Sequence, residues 1–169
     1  MENTNQLCLI GMMGSGKSST GKMLSEKLGW SFIDIDQEII NKQNLSINEL
    51  FSKSEVQFRK FEYDEIKKYS STNNIVIAVG GGAVTFKKSY DLMASMCCIY
   101  LKTSLQVLTD RLEGDSSRPL LKENNKRKIL KKIFNERKEL YLSLSSCEID
   151  TDRNSLSDNC DKIMEFVNG

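Results

Sequence analysis

The stretch GMMGSGKSS, Gly11 to Ser19, constrains this chain more than any other. Glycine loses the most conformational freedom on folding and is a poor choice inside a regular element. Here three glycines, a lysine and three serines follow directly on the apolar run Leu7-Cys8-Leu9-Ile10, and a helical pattern, Ser18–Leu28, comes after them. Gly11-x-x-x-x-Gly16-Lys17-Ser18 between a strand and a helix is the phosphate-binding loop pattern. Its glycines let backbone amides turn inward onto phosphate oxygens, and the helix N-terminus adds partial positive charge. A lysine in this place reaches the β- and γ-phosphates, and a serine hydroxyl suits Mg²⁺. The plain alternative is a glycine-rich turn that binds nothing. Four constrained positions in a strand–loop–helix context argue against it, so the pattern points to nucleotide binding, without naming what the nucleotide's phosphate is passed to.

The rest of the chain alternates in the same way. Gln6–Ile10, Phe32–Ile35, Ile75–Val79, Cys97–Leu101 and Cys147–Asp150 read as strands. Helical patterns run over Ser18–Leu28 with Gly29 as a stop, from Gln37 to Lys42, over Ile47–Phe51 with Ser46 as cap, and over Glu55–Tyr69. Others cover Ser104–Glu113, Lys126–Leu144 and Ser157–Val167. Strands alternating with helices predict an α/β fold with a parallel sheet, and near-continuous apolar strands predict helices on both of its faces. The polar segment Gly114–Lys126, which holds the sole proline, Pro119, reads as a mobile loop that could serve as a lid.

Composition limits the partners. The 169 residues, 39% of them apolar, fit a single domain spanning 1–169. No run is long enough to span a membrane, and the N-terminus has neither a basic region nor a cleavage site of a signal peptide. Twenty-four basic against 23 acidic residues argue against a general nucleic-acid or membrane surface, while leaving room for a local basic patch. The five cysteines match no zinc or redox spacing and are expected to be reduced thiols in a cytoplasmic protein. There is no histidine, so acid–base chemistry falls to carboxylates, lysine or the substrate.

Several side chains stand out against this frame. Asp34 and Asp36 follow the second strand; in an extended segment they would point to one side, at the strand ends where ligands bind in open α/β sheets. One could hold a metal-bound water and the other orient or deprotonate a hydroxyl; a solvated strand end with Asp36 capping the next helix is the alternative. Arg137 continues the inward stripe of Ile129 and Ile133 in the Lys126–Leu144 helix, and an inward arginine needs a partner. It reads as an anion clamp or as an internal ion pair. Arg59 invites the same two readings, with Glu62 three residues on as the ion-pair partner. Two arginines and two aspartates would suit a substrate with a carboxylate and hydroxyls. Gly80-Gly81-Gly82 exceeds what a turn needs and points to close backbone approach to a ligand. Arg118 in the polar loop could fold over the phosphates or stay solvated. Arg111 and Arg153 carry weaker signals, and the basic run Lys126–Lys132 reads as a solvated helix face.

In order and spacing, GMMGSGKSSTG, FIDID, FRKFE, GGGAV, SRPLL and NERKELY resemble the shikimate kinase family. The resemblance covers nearly the whole chain, from Leu7 to about Arg153. It implies transfer of phosphate from ATP to the 3-hydroxyl of shikimate, a step toward chorismate and the aromatic amino acids. It implies a fold similar to nucleoside monophosphate kinases: three layers, a five-stranded parallel sheet of order 2-3-1-4-5, a substrate-binding helical region about 36–65 and a lid about 114–126. Gly14, Ser15, Gly16, Lys17, Ser18 and Ser19 would bind the ATP phosphates. Ser18 and Asp34 would hold Mg²⁺, Asp34 through its water shell. Lys17, Asp36 and Arg118 would serve the transfer. Arg59 and Arg137 would grip the substrate carboxylate, Asp36 its hydroxyls, with Gly80, Gly81 and Gly82 against it. Arg111, Arg118 and Arg153 would contact ATP, and a monomer is expected. Ser19 stands where the family commonly has threonine. A gluconate or nucleotide kinase is the alternative within kinases. A nucleotide-binding switch or regulator is the alternative outside them, although no Asn-Lys-x-Asp guanine-reading motif is present.

Overall fold

Four residues in a row, Leu7 to Ile10, have no exposed surface. A strand buried on both faces must sit inside a sheet that is itself covered on both sides. The computed structural model, which describes residues 5–112 and 126–169, places β1 (Gln6–Ile10) at that position. Around it lie β2 (Ser31–Asp34), β3 (Ile75–Ala78), β4 (Cys98–Lys102) and β5 (Ser145–Asp150). All pairings are parallel and the order is β2-β3-β1-β4-β5, the 2-3-1-4-5 order anticipated.

The helices are α1 (Lys17–Leu28), α2 (Ile35–Gln43), α3 (Ile47–Lys53), α4 (Glu55–Tyr69), α5 (Lys87–Met93), α6 (Leu105–Arg111), α7 (Lys126–Leu144) and α8 (Leu156–Asn168). Alternate strand residues face opposite sides. Leu7, Leu9, Val76, Ile99 and Ile149 form one core with Leu24 of α1 and Cys160 and Ile163 of α8. Cys8, Ile10, Ile75, Ile77 and Tyr100 form the other with α2, α4 and α7. The result is three layers. Gly29 closes α1 in the left-handed region, φ 67°, as its position after the apolar stripe predicts. A 3₁₀ turn, Ala83–Thr85, and α5 fill the crossover from β3 to β4; no sequence pattern marked them.

One expectation about the site changes here. Asp34 and Asp36 do not share an extended segment. β2 ends at Asp34 and α2 begins at once, with Asp34 as its N-cap accepting the Gln37 N–H at 3.2 Å. Asp36 lies in the first helical turn, where its charge suits the helix dipole. The cap is thus Asp34, not Asp36, and strand alternation does not relate the two carboxylates. The expected lid lies outside the described residues apart from Lys126. Among the described residues, no helix is long and apolar enough to cross a membrane.

Candidate active site

The phosphate loop leaves the C-terminal end of β1. Gly11, Gly14 and Gly16 have φ of 145°, 79° and 92°, values that side-chain-bearing residues rarely adopt. Gly16 is the N-cap of α1, and no side chain caps that helix, so its first N–H groups suit an anion. Lys17 curls back over the loop, its Nζ donating to the carbonyls of Gly11 at 2.9 Å and Met12 at 2.8 Å. The Ser18 hydroxyl donates to the Asp34 carboxylate, tying the start of α1 to the end of β2. These two groups are hard oxygen donors beside a phosphate site, the kind Mg²⁺ takes. Gly14, Ser15, Gly16, Lys17, Ser18 and Ser19 all line one cleft of 540 Å³. Asp34, Asp36, Gly80 and Gly81 line it too.

The cleft continues into a smaller recess of 50 Å³; Met13, Asp36, Gly80 and Gly81 border both. Arg59 from α4 and Arg137 from α7 line the recess, each only 6% exposed. Arg59 donates from Nη1 to Glu62 at 2.7 Å and from Nη2 to Glu55 at 3.4 Å, and its guanidinium lies beside the paired rings of Phe51 and Phe58. The ion pair with Glu62 and a place in the site are therefore both true of this arginine. The Nε of Arg59 and of Arg137 are buried and make no hydrogen bond among the described residues. Two forked cations on one small recess are suited to grip a carboxylate.

Glu62 completes this end, and its spacing from Arg59 marked it only as an ion-pair partner. It is fully buried, and burial raises its carboxyl pKa to about 7; the Arg59 charge opposes that rise and the Asp36 charge adds to it. Gly80, Gly81 and Gly82 all line the recess, and packing inside the protein gives the triplet a further reason to be bare. None of its residues has a positive φ. A Cβ on Gly80 would lie 2.2 Å from Glu62 Oε1 and 2.9 Å from Asp36 Oδ1, and one on Gly82 would lie 2.0 Å from Arg59 Nη2. The protein's own charged side chains fill the space that glycine leaves, and Gly81 lies against Met13 of the phosphate loop.

At the far end of the cleft, Arg111 closes α6 and donates to the carbonyls of Gly14 at 3.3 Å and Thr151 at 2.9 Å. Arg153 is exposed and does not line the cleft; Thr151, Asn154, Leu156 and Asn159 do. The buried Asn159 Oδ1 makes no hydrogen bond among the described residues. No motif in the tail announced these four; the fold of β5 and α8 over α1 brings them in. Arg118 lies outside the described residues.

A phosphate loop at the head of α1, a parallel 2-3-1-4-5 sheet and an adjoining recess lined by arginines define a small-molecule kinase of the phosphate-loop class. The family model described as shikimate kinase matches residues 13–168. A shikimate kinase from Persephonella marina is 42% identical over 79% of this chain and 81% of its own length. One from Geobacter sulfurreducens is 37% identical over 94% and 88%. The solved structure of shikimate kinase from Acinetobacter baumannii in complex with shikimate superposes with a TM-score of 0.93 at 31% identity, covering 98% of this chain and 94% of that one. The chain belongs to the shikimate kinase family.

Proposed function

We propose that this protein transfers the γ-phosphoryl group of ATP to the 3-hydroxyl of shikimate, with the residue roles that follow. The observation that carries the reading is the continuity of the two cavities: Asp36, Gly80 and Gly81 border both the phosphate-loop cleft and the recess of the two arginines. An acceptor gripped by its carboxylate in the recess would present a hydroxyl toward the phosphates. Arg59 and Arg137 hold the carboxylate, and Asp36 orients the hydroxyl and can accept its proton. Phosphoryl transfer through a loose transition state asks more of positioning and charge than of a strong base.

At the other end, the phosphate-loop amides and Lys17 hold the phosphates, Lys17 releasing its loop carbonyls for them. Ser18 would hold Mg²⁺ and Asp34 its water shell, and the ion would supply neutralisation of phosphate charge. Arg111, beside Gly14 and Thr151, contacts the nucleotide. Arg118 would add charge from the 114–126 segment acting as a lid, and α2–α4 would form the acceptor-binding region of a single domain. The reading includes a cytoplasmic monomer.

The test is ADP release from Mg–ATP by purified protein with shikimate, with gluconate, with nucleoside monophosphates and with no acceptor. Turnover with shikimate alone is expected. Turnover with gluconate or a nucleotide instead, or with no acceptor, overturns the reading.

A further inference from the structure

Tyr141 lies one turn beyond Arg137 on the inward stripe of α7, where the sequence pattern treats it as core. Its ring does pack as core. It is fully buried and stacks on Tyr100 of β4, centroids 5.2 Å apart at 23°. Its hydroxyl does more than packing requires. It donates to the Gly81 carbonyl at 2.5 Å, lies 3.7 Å from the Met12 sulfur and feels the charge of the Arg137 guanidinium. One oxygen atom thus touches the glycine turn and the phosphate loop, in the field of one arginine of the recess.

The polarity of this junction follows from proton inventory. A guanidinium has donors and no acceptor, and a carbonyl only accepts. The phenol therefore gives its one proton to Gly81, which leaves its oxygen lone pairs to the positive field of Arg137. Burial holds the phenol pKa well above its ordinary value, so the proton stays in place across the range in which enzymes work. Fixing the Gly81 carbonyl also fixes the planar Gly81–Gly82 peptide. Gly82 is the residue against which the Arg59 guanidinium packs. The hydroxyl therefore joins Arg137, on α7, to the turn that seats Arg59, on α4.

We propose that Tyr141 is a positioning residue that sets the separation and orientation of the two guanidinium groups around the acceptor's carboxylate. The proposal rests on the acceptor reading above. A merely structural tyrosine would affect melting and both substrates alike; a positioning one acts on the acceptor and only through Arg137.

The experiment compares wild type, Tyr141→Phe, Arg137→Ala and the double variant, measuring shikimate affinity by calorimetry and the KM of each substrate. Tyr100→Phe serves as a control for loss of a hydroxyl in the same stack. Tyr141→Phe is expected to weaken shikimate binding about tenfold, the loss of the one buried hydrogen bond that anchors the turn beside Arg137. The KM for ATP should stay within about twofold, and the effect should vanish once Arg137 is alanine. Tyr100→Phe should show no such selectivity. Unchanged shikimate affinity in Tyr141→Phe, equal losses for both substrates, or the same loss with and without Arg137 overturns the proposal. Wild-type protein that neither binds nor phosphorylates shikimate overturns the acceptor reading instead.

Discussion

At the scale of single residues, the site joins a half-open phosphate end to a recess whose charges, Arg59, Glu62 and Arg137, are almost fully buried. Lys17 and Arg137 stand at opposite ends of it, so their losses should separate. Lys17→Ala is expected to lower kcat by roughly 10²–10³-fold while leaving shikimate binding nearly intact. Arg137→Ala should raise the shikimate KM about a hundredfold and change that of ATP little. Steady-state kinetics with each substrate varied checks both, and an Arg137→Ala enzyme of unchanged shikimate affinity would sink the clamp. Glu62 supplies a pH signature. Its carboxyl pKa rises from 4.5 to about 7 on folding, so the native state holds its proton more tightly than the unfolded chain. Its contribution to stability is complete below about 4.5 and is lost as pH climbs through 7. Glu62→Gln, neutral throughout, should escape a loss on the order of 3 kcal/mol between those limits. Urea titrations of both proteins at pH 5 and pH 8 measure the difference; parallel behaviour would refute it.

At the scale of elements, function sits where strands end and helices begin. Gly16 starts α1, Asp34 starts α2, and the triplet after β3 receives side chains from α2 and α4. The triplet's role is spatial, and it yields a sharp expectation. Gly82→Ala puts a methyl group 2.0 Å from Arg59 Nη2, so the guanidinium must move. The shikimate KM should rise about tenfold or more, with a stability cost of about 1–3 kcal/mol typical of overpacking. The ATP KM, set by the other end of the cleft, should hold. Parallel rises in both would mean that the turn collapses as a whole.

At the scale of the whole molecule, the sheet acts as a ruler between two recesses. The phosphate loop and the arginine recess are both built at the carboxyl ends of the strands, with Asp36 at their junction. A ligand that fits only the folded site stabilises it by about 2.7 kcal/mol at a hundred times its dissociation constant. For a chain of this size that is a rise of roughly 5–10 °C in melting temperature. Shikimate should produce it in wild type and not in Arg137→Ala, and gluconate should produce it in neither. Equal shifts with both acids would mean that the recess reads a carboxylate and nothing more.

The phosphate loop was legible in the sequence because its geometry is local. A strand, a run of glycines and a helix start specify their own backbone conformation without help from elsewhere. The family, and with it the sheet order, was legible because ordered short motifs report descent; most helix positions were legible because apolar periodicity reports which faces are buried. Inward-facing Arg137 was visible for the same reason, since its stripe gave it away. The details that only the tertiary structure decided are those that join residues far apart in the chain. Nothing local tells that Glu62 is fully buried beside Arg59, or that the glycines after β3 make room for these side chains. Nothing local carries Thr151 and Asn159 to the nucleotide cleft, or distinguishes Tyr141 from an ordinary core tyrosine. Burial, and the pKa shift that comes with it, belongs to the packed molecule, because it depends on what the rest of the chain brings around a side chain.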